Sequence, residues 1–195
     1  MPFYSDSTLT GVDPLAKAFG LVNWNANWGT FPNNGAPTSQ LIYATPIWLP
    51  FGVPISKVAT LIEVAAVGTA ITGGYMGVCS PTTMIAQTAN IGTAAASYPT
   101  GPLVKALSGS VTSYTPTPAD SSTGLYYVLL LLNGTFGTTQ PTFALSSQTA
   151  TYSSPSGGTF PGAATAGSAQ TVLPANGAAV TLTASNRTYA VGCAP

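Results

Sequence analysis

Few side chains in this sequence could carry proton chemistry. Asp6, Asp13, Glu63 and Asp120 are its carboxylates, four Lys and Arg its cations, and histidine is absent from all 195 residues. General acid–base catalysis near neutral pH draws on histidine or on a carboxylate tuned by close neighbours. Asp6 and Asp13 are the nearest pair and could be cast as glycosidase carboxylates, but Asp13 stands before Pro14 and already fits a helix N-cap. Asp120, beside Ser121 and Ser122, could ligate Ca²⁺ or close an Asx-type turn; one carboxylate is thin for an ion that takes about 6–8 oxygens. Cys79 and Cys193 stand far apart in the chain, and a metal site would need further ligands close by. The two read either as small buried apolar residues on strands or as a disulfide closed after assembly. No metal or cofactor is implied, and the expectation is a protein that is not an enzyme.

Aromatic residues offer binding in place of catalysis. Trp24 and Trp28, with Phe31, could present flat apolar faces to sugar rings, or could anchor their segment onto the rest of the chain. Tyr152 and Phe160, in a long Gly/Ser loop, could meet a ligand or be ordered by a neighbouring subunit. Asn133-Gly134-Thr135 and Asn186-Arg187-Thr188 match glycosylation sequons and, with no secretory signal, are read as turns.

Composition narrows the field. Charged residues make up 4% of the chain, against about 25% in an ordinary soluble domain. Exposed helix faces normally carry Glu and Lys, so long solvated helices are not expected. A net charge of zero gives no electrostatic footprint for nucleic acid or an anionic membrane. The apolar share of 45% suits one domain with a substantial core. Thr, Ser, Asn and Gln carry the polarity and favour strands and turns. The first residues lack the basic and apolar regions of a signal peptide. The longest apolar run, 125–132, is far short of the roughly 20 residues that span a bilayer. The chain is therefore expected to be made in a cytoplasm, with no export signal at its own N-terminus and no membrane anchor.

These residues must be positioned by strands. Residues 1–40 form an arm: Asp13, Pro14 and Gly20 bracket a short helix, and turn formers follow. The arm docks on the main domain or on a neighbouring subunit. Residues 41–51 are extended, with Pro46 and Pro50 restricting them to an edge or to bulged pairing. In 55–67, Val58, Ile62 and Val64 share one strand face while Lys57 and Glu63 fall on the other, as a half-buried strand requires; Ile55, Val58, Ala59, Ile62 and Ala66 also fit a helix, and the bracketing Pro54 and Thr72-Gly73-Gly74 with the Val/Ile/Thr content favour the strand. YMGVC (75–79) is a hairpin partner, and 102–111 is a strand with Leu103, Leu107 and Val111 on one face. LYYVLLLLNG places Tyr126, Val128, Leu130 and Leu132 in the core of a strand apolar on both faces, hence covered on both sides. Residues 146–170 are a long Gly/Ser/Ala loop. Three short strands close the chain, with Val180 and Leu182 in the core and turns at Asn176-Gly177 and Ser185-Asn186. About eight or nine short strands describe an all-β antiparallel sandwich over 41–195.

The order of PISKVATLIEVAAVGTA, the GYMGVCSPTT hairpin, GLYYVLLLLNG and the terminal VTLTASNRTYAVGCA resembles the jelly-roll domains of tailed-bacteriophage structural proteins. Such domains occur in tail fibres, tail tips and minor tail proteins, head fibres and capsid decoration. Gly124-Leu125-Tyr126-Tyr127 and Val191-Gly192 carry the likeness best; carbohydrate-binding modules share the plan. The resemblance implies a jelly-roll fold, a place in the virion, other virion proteins and copies of itself (as a trimer) as partners, and a host-surface glycan as target. It brings no catalytic residue. The strand assignment itself is testable: Leu130→Asp, by burying an unpaired charge, is expected to abolish soluble folding, and a variant melting like wild type would refute it.

Overall fold

The computed structural model describes residues 20–21, 23–25, 33–64, 70–92, 100–135, 140–146, 151–153, 159–161 and 163–195. The body of the expected helix (14–19), Asp6, Asp13, Trp28 and Phe31 lie outside them. The described residues are all-β. Seven strands have five residues or more: β3 (Tyr43–Trp48), β4 (Lys57–Val64), β5 (Ala70–Cys79), β6 (Met84–Thr88), β7 (Gly101–Ser108), β8 (Leu125–Thr135) and β9 (Thr142–Ser146). Shorter pieces complete the ladder: β1 (Asn23–Trp24), β2 (Asn33–Gly35), β10 (Thr151–Ser153), β11 (Thr159–Pro161), β12 (Ala164–Thr165), β13 (Thr183–Ala184), β14 (Thr188–Tyr189) and β15 (Val191–Ala194). That makes fifteen strands among the described residues, more than the eight or nine expected, because the chain ends pair as fragments.

All pairings are antiparallel. One layer holds β4 between β7 and β15, with β1 outside β15; β9 continues the ladder and carries β2 and β14. The other runs β6-β5-β8-β3-β12-β13. β7 joins the two: residues 101–106 pair with β4, then Leu107 and Ser108 pair with β6. The result is a two-layer antiparallel sandwich.

β8 explains the stacking. Its even-numbered side chains, Tyr126, Val128, Leu130 and Leu132, meet Val58 and Ile62 of β4, Phe143 of β9 and Val191 of β15 between the layers. Its odd-numbered ones, Leu125, Tyr127, Leu129 and Leu131, face outward and are buried under Ala164, Leu173 and Val180. Each such burial stabilises by about 1.5–3 kcal/mol. The layers are also stitched by polar contacts: Tyr189 N–H donates to Thr45 Oγ1 at 3.1 Å, and the Tyr43 and Tyr189 rings meet edge-on at 5.1 Å.

Several expectations need correction. Val64 is 38% exposed, because a register shift between Ile62 and Val64 ends the regular alternation as β4 passes from β7 to β9. Val180 and half-buried Leu182 pack on the outer cluster rather than between the layers. β4 is not half-buried, since Ala59 and Leu61 on its second face are covered together with Leu21 and Trp24 of the arm. Residues 171–175 form no strand; they cross the face of β5 and β8 and bury Leu173. The 146–170 segment is partly regular: β10 pairs with β11, and β12 adds to β3. Asn133 is no turn residue but a buried member of β8. Pro46 pairs in register with Tyr127. It is tolerated because β12 reaches only Tyr43 and Ala44, leaving the far side of Pro46 an edge that needs no N–H. The hairpin partner of 75–79 is β6, with β8 on the other side.

The described part of the arm docks on its own domain. β1 extends β15, β2 extends β9, and Arg187 donates to the Ala36 carbonyl at 3.0 Å. The fit is close at Gly192, where a Cβ would stand 2.5 Å from Leu21 Cδ1. Gly192→Val is therefore expected to lever the arm away, costing about 1–3 kcal/mol in denaturant unfolding and speeding chymotryptic cleavage at Trp24. Unchanged stability and protection would refute this docking.

Candidate functional site

A polar cleft of about 340 Å³ opens where β5 begins and β8 ends, lined by Ser39, Gln40, Thr72, Tyr75, Asn90, Asn133 and Thr171 among others. Local backbone rules build it. β5 carries a bulge, Ile71 facing Gly134 and Gly73 facing Asn133, so Thr72 is the extra residue and is exposed; bulges re-aim side chains at such rims. Asn90 Oδ1 accepts the N–H groups of Gly74 (3.0 Å) and Gly92 (2.9 Å), tying the end of β6 over the start of β5. Gly92 is required there, since a Cβ would lie 2.5 Å from Gly73 C. On the other wall, Gln40 holds a left-handed φ of 64°, a strained conformation for a residue with a side chain. It is clamped by its N–H to the Leu132 carbonyl and by Gln170 N–H to its own carbonyl, both 2.9 Å. Ser39 Oγ accepts Gly134 N–H at 3.2 Å.

Asn133 is the buried polar member of this cleft, 6% exposed. Its Nδ2 donates to the Thr171 carbonyl at 2.6 Å, while Oδ1 is buried with no hydrogen-bond partner. An unsatisfied buried acceptor costs about 1–3 kcal/mol, and this one has no surface open to the cleft. Sequence reasoning took Asn133 for a turn residue; the signal that could have found it is an amide closing an otherwise apolar strand.

The opposite end of the sandwich exposes two aromatic side chains. The β3–β8 register runs from Tyr43 opposite Leu130 to Trp48 opposite Leu125, placing Trp48 at the far end from Asn133. Trp48 is 57% exposed and Phe51, in the next turn, 43%. Gly52 N–H donates to the Pro116 carbonyl and Leu49 N–H to the Gly124 carbonyl, which fix this turn on residues 116–124. Neither aromatic was singled out in the sequence, where Pro46 and Pro50 drew the reading to strand geometry.

Of the aromatic candidates, Trp24 is half-buried on the outer face of β4 and β15 and acts there as an anchor. Trp28 lies outside the described residues. Tyr152 and Phe160 are register partners in the β10–β11 ladder. Asp120 forms no Asx turn: its Oδ2 accepts Tyr114 OH at 2.8 Å and Thr117 Oγ1 at 2.5 Å. Tyr114 Oη lies 3.0 Å from Tyr126 Oη, and Tyr126 donates to the Thr117 carbonyl at 3.2 Å. The carboxylate thus latches a turn onto β8.

Cys79 and Cys193 are free, buried thiols. Cys193 lies in the core between the layers and Cys79 in the outer cluster. Burial pushes Cys193 up to about 12 and raises Cys79 as well. Desolvation likewise raises the Tyr127 and Tyr189 phenols, and burial followed by the bonds to Tyr126 and Asp120 raises Tyr114. Unfolded thiols and phenols ionise near their ordinary 9.0 and 10.0, so the unfolded chain releases these protons first. Stability from these groups is complete below about pH 9 and declines as pH rises beyond it. Urea titrations from pH 8 to 11 should show that decline, and a disulfide-exchange reagent at pH 8 should modify neither thiol until denaturant is added. Rapid native labelling would contradict the burial of these thiols.

Comparison with protein-family models, with curated proteins and with solved structures found no match.

Proposed function

We propose that this chain is a non-enzymatic structural subunit of a bacteriophage particle, a jelly-roll sandwich that works as a symmetric oligomer, tail-associated or fibre-like, and helps the particle adsorb to its host. The observation that carries this reading is the pairing of a nearly uncharged chain, 4% charged residues, with an exposed Trp48 and Phe51 at one end of a sandwich. Neutral hydroxyl and amide surfaces pack against a neighbour without the large cost of stripping water from charges. Aromatic side chains are the residues that anchor such contacts. The occupant proposed for the Trp48 end is a second copy of this chain. Capsid decoration or head-fibre service makes the same demands of the fold, and the resemblance of 41–195 to virion jelly rolls supports the whole group.

The polar cleft favours a second reading, a free carbohydrate-binding module. Sedimentation separates the two. The wild-type chain is expected to sediment as an oligomer and Trp48→Glu as a folded monomer. Immunogold labelling of particles from a lysate of the producing host should then mark one defined position. A monomeric wild type retained on a polysaccharide column would favour the free module and overturn the subunit role.

A further inference from the structure

We infer that the cleft between the start of β5 and the end of β8 is a binding site for one small neutral sugar, met by the hydroxyls and amides of its lining. The lining decides the ligand class. Asn133, Thr72, Ser39 and Gln40 are hydroxyls and amides, and among the described residues none that lines the cleft is charged. An anionic ligand would lose its water there without a counter-charge. An apolar one would leave the polar wall without hydrogen bonds. A polyhydroxylated ring answers both demands, because each hydroxyl donates and accepts. Its carbon faces also suit the half-buried ring of Tyr75. The cleft's 340 Å³ lies near the lower end of ligand pockets, about 300–1,000 Å³, which fits one or two rings and not a long chain in cross-section.

The walls are preformed, which lowers the ordering cost of binding. Asn90 fixes one rim, and Gln40 is held in its strained turn by two backbone hydrogen bonds. Ser39 Oγ accepts from Gly134 N–H, so its own proton remains to donate. Strained backbone and a bulge meet in one place, and such features gather where a ligand completes the structure.

This site deepens the adsorption role proposed above and rests on it only in part. The test is a titration of the full ¹⁵N-labelled chain with neutral hexoses and N-acetylhexosamines, and with glucuronic and sialic acids, followed by amide shifts. A neutral sugar is expected to saturate with Kd on the order of 1 mM, with shifts at residues 39–40, 72–75 and 133–134. Thr72→Trp, which fills the cleft from an exposed bulge, is expected to weaken binding at least about tenfold while keeping the wild-type melting curve. Trp48→Ala should leave the affinity within about twofold. Absence of saturable shifts with every neutral sugar would overturn the site, as would shifts confined to the Trp48 end, preference for the acidic sugars, or full affinity in folded Thr72→Trp. Sedimentation of the same sample keeps the two ideas apart: an oligomer that binds no sugar overturns only the cleft, and a monomer that binds in the cleft overturns only the subunit role.

Discussion

The fold depends on one strand that has no polar face. From Leu125 to Leu132 every side chain of β8 is buried, so water must be excluded from both of its surfaces. An antiparallel sheet ordinarily leaves one face solvated, and a simple sandwich would cover only one side of β8. Here the second side is closed by an irregular stretch carrying Leu173 and Val180, and the matching outer face of β4 and β15 by Leu21 and Trp24. The chain ends are thus consumed as lids, which explains why they are rich in turn formers and still buried.

With so few charges, the interior polar groups have to satisfy one another through hydroxyls, amides and backbone. Thr60 donates to the Ala190 carbonyl inside the first layer, Thr45 accepts from Tyr189 across the core, and Thr88 accepts from Met76. Each such bond is worth about 0.5–1.5 kcal/mol and specifies register more than it adds stability. Against that background the polar cleft stands out, because its polar side chains are gathered in one place.

Much of the architecture was legible in the residues. The double apolarity of 125–132 announced a doubly covered strand; at 55–67, where a helical spacing also fits, the Val/Ile/Thr content and the bracketing Pro54 and Thr72-Gly73-Gly74 announced a strand. What escaped was long-range. That Ala59 and Leu61 would be covered depends on an arm more than thirty residues upstream, and small apolar side chains look alike whether covered or bare. Val64 obeyed its alternation in sequence and lost it to a shift of partners that no local pattern encodes. The cleft was invisible for the same reason: Ser39, Thr72, Asn90 and Asn133 are commonplace turn and strand residues until a bulge and a hairpin end bring them together. The proposed role in a phage particle rests on resemblance and neutrality.

The lid over β8 also sets an order of events during synthesis. β8 leaves the ribosome well before Leu173, Val180 and β15 do, so its outward leucines must wait bare while the remainder of the chain is translated. Pairings such as Val191 with Thr60 span most of the polypeptide, and loops of that length close slowly. A nascent chain of this design leaves those outward side chains uncovered until residues 173–180 have been made.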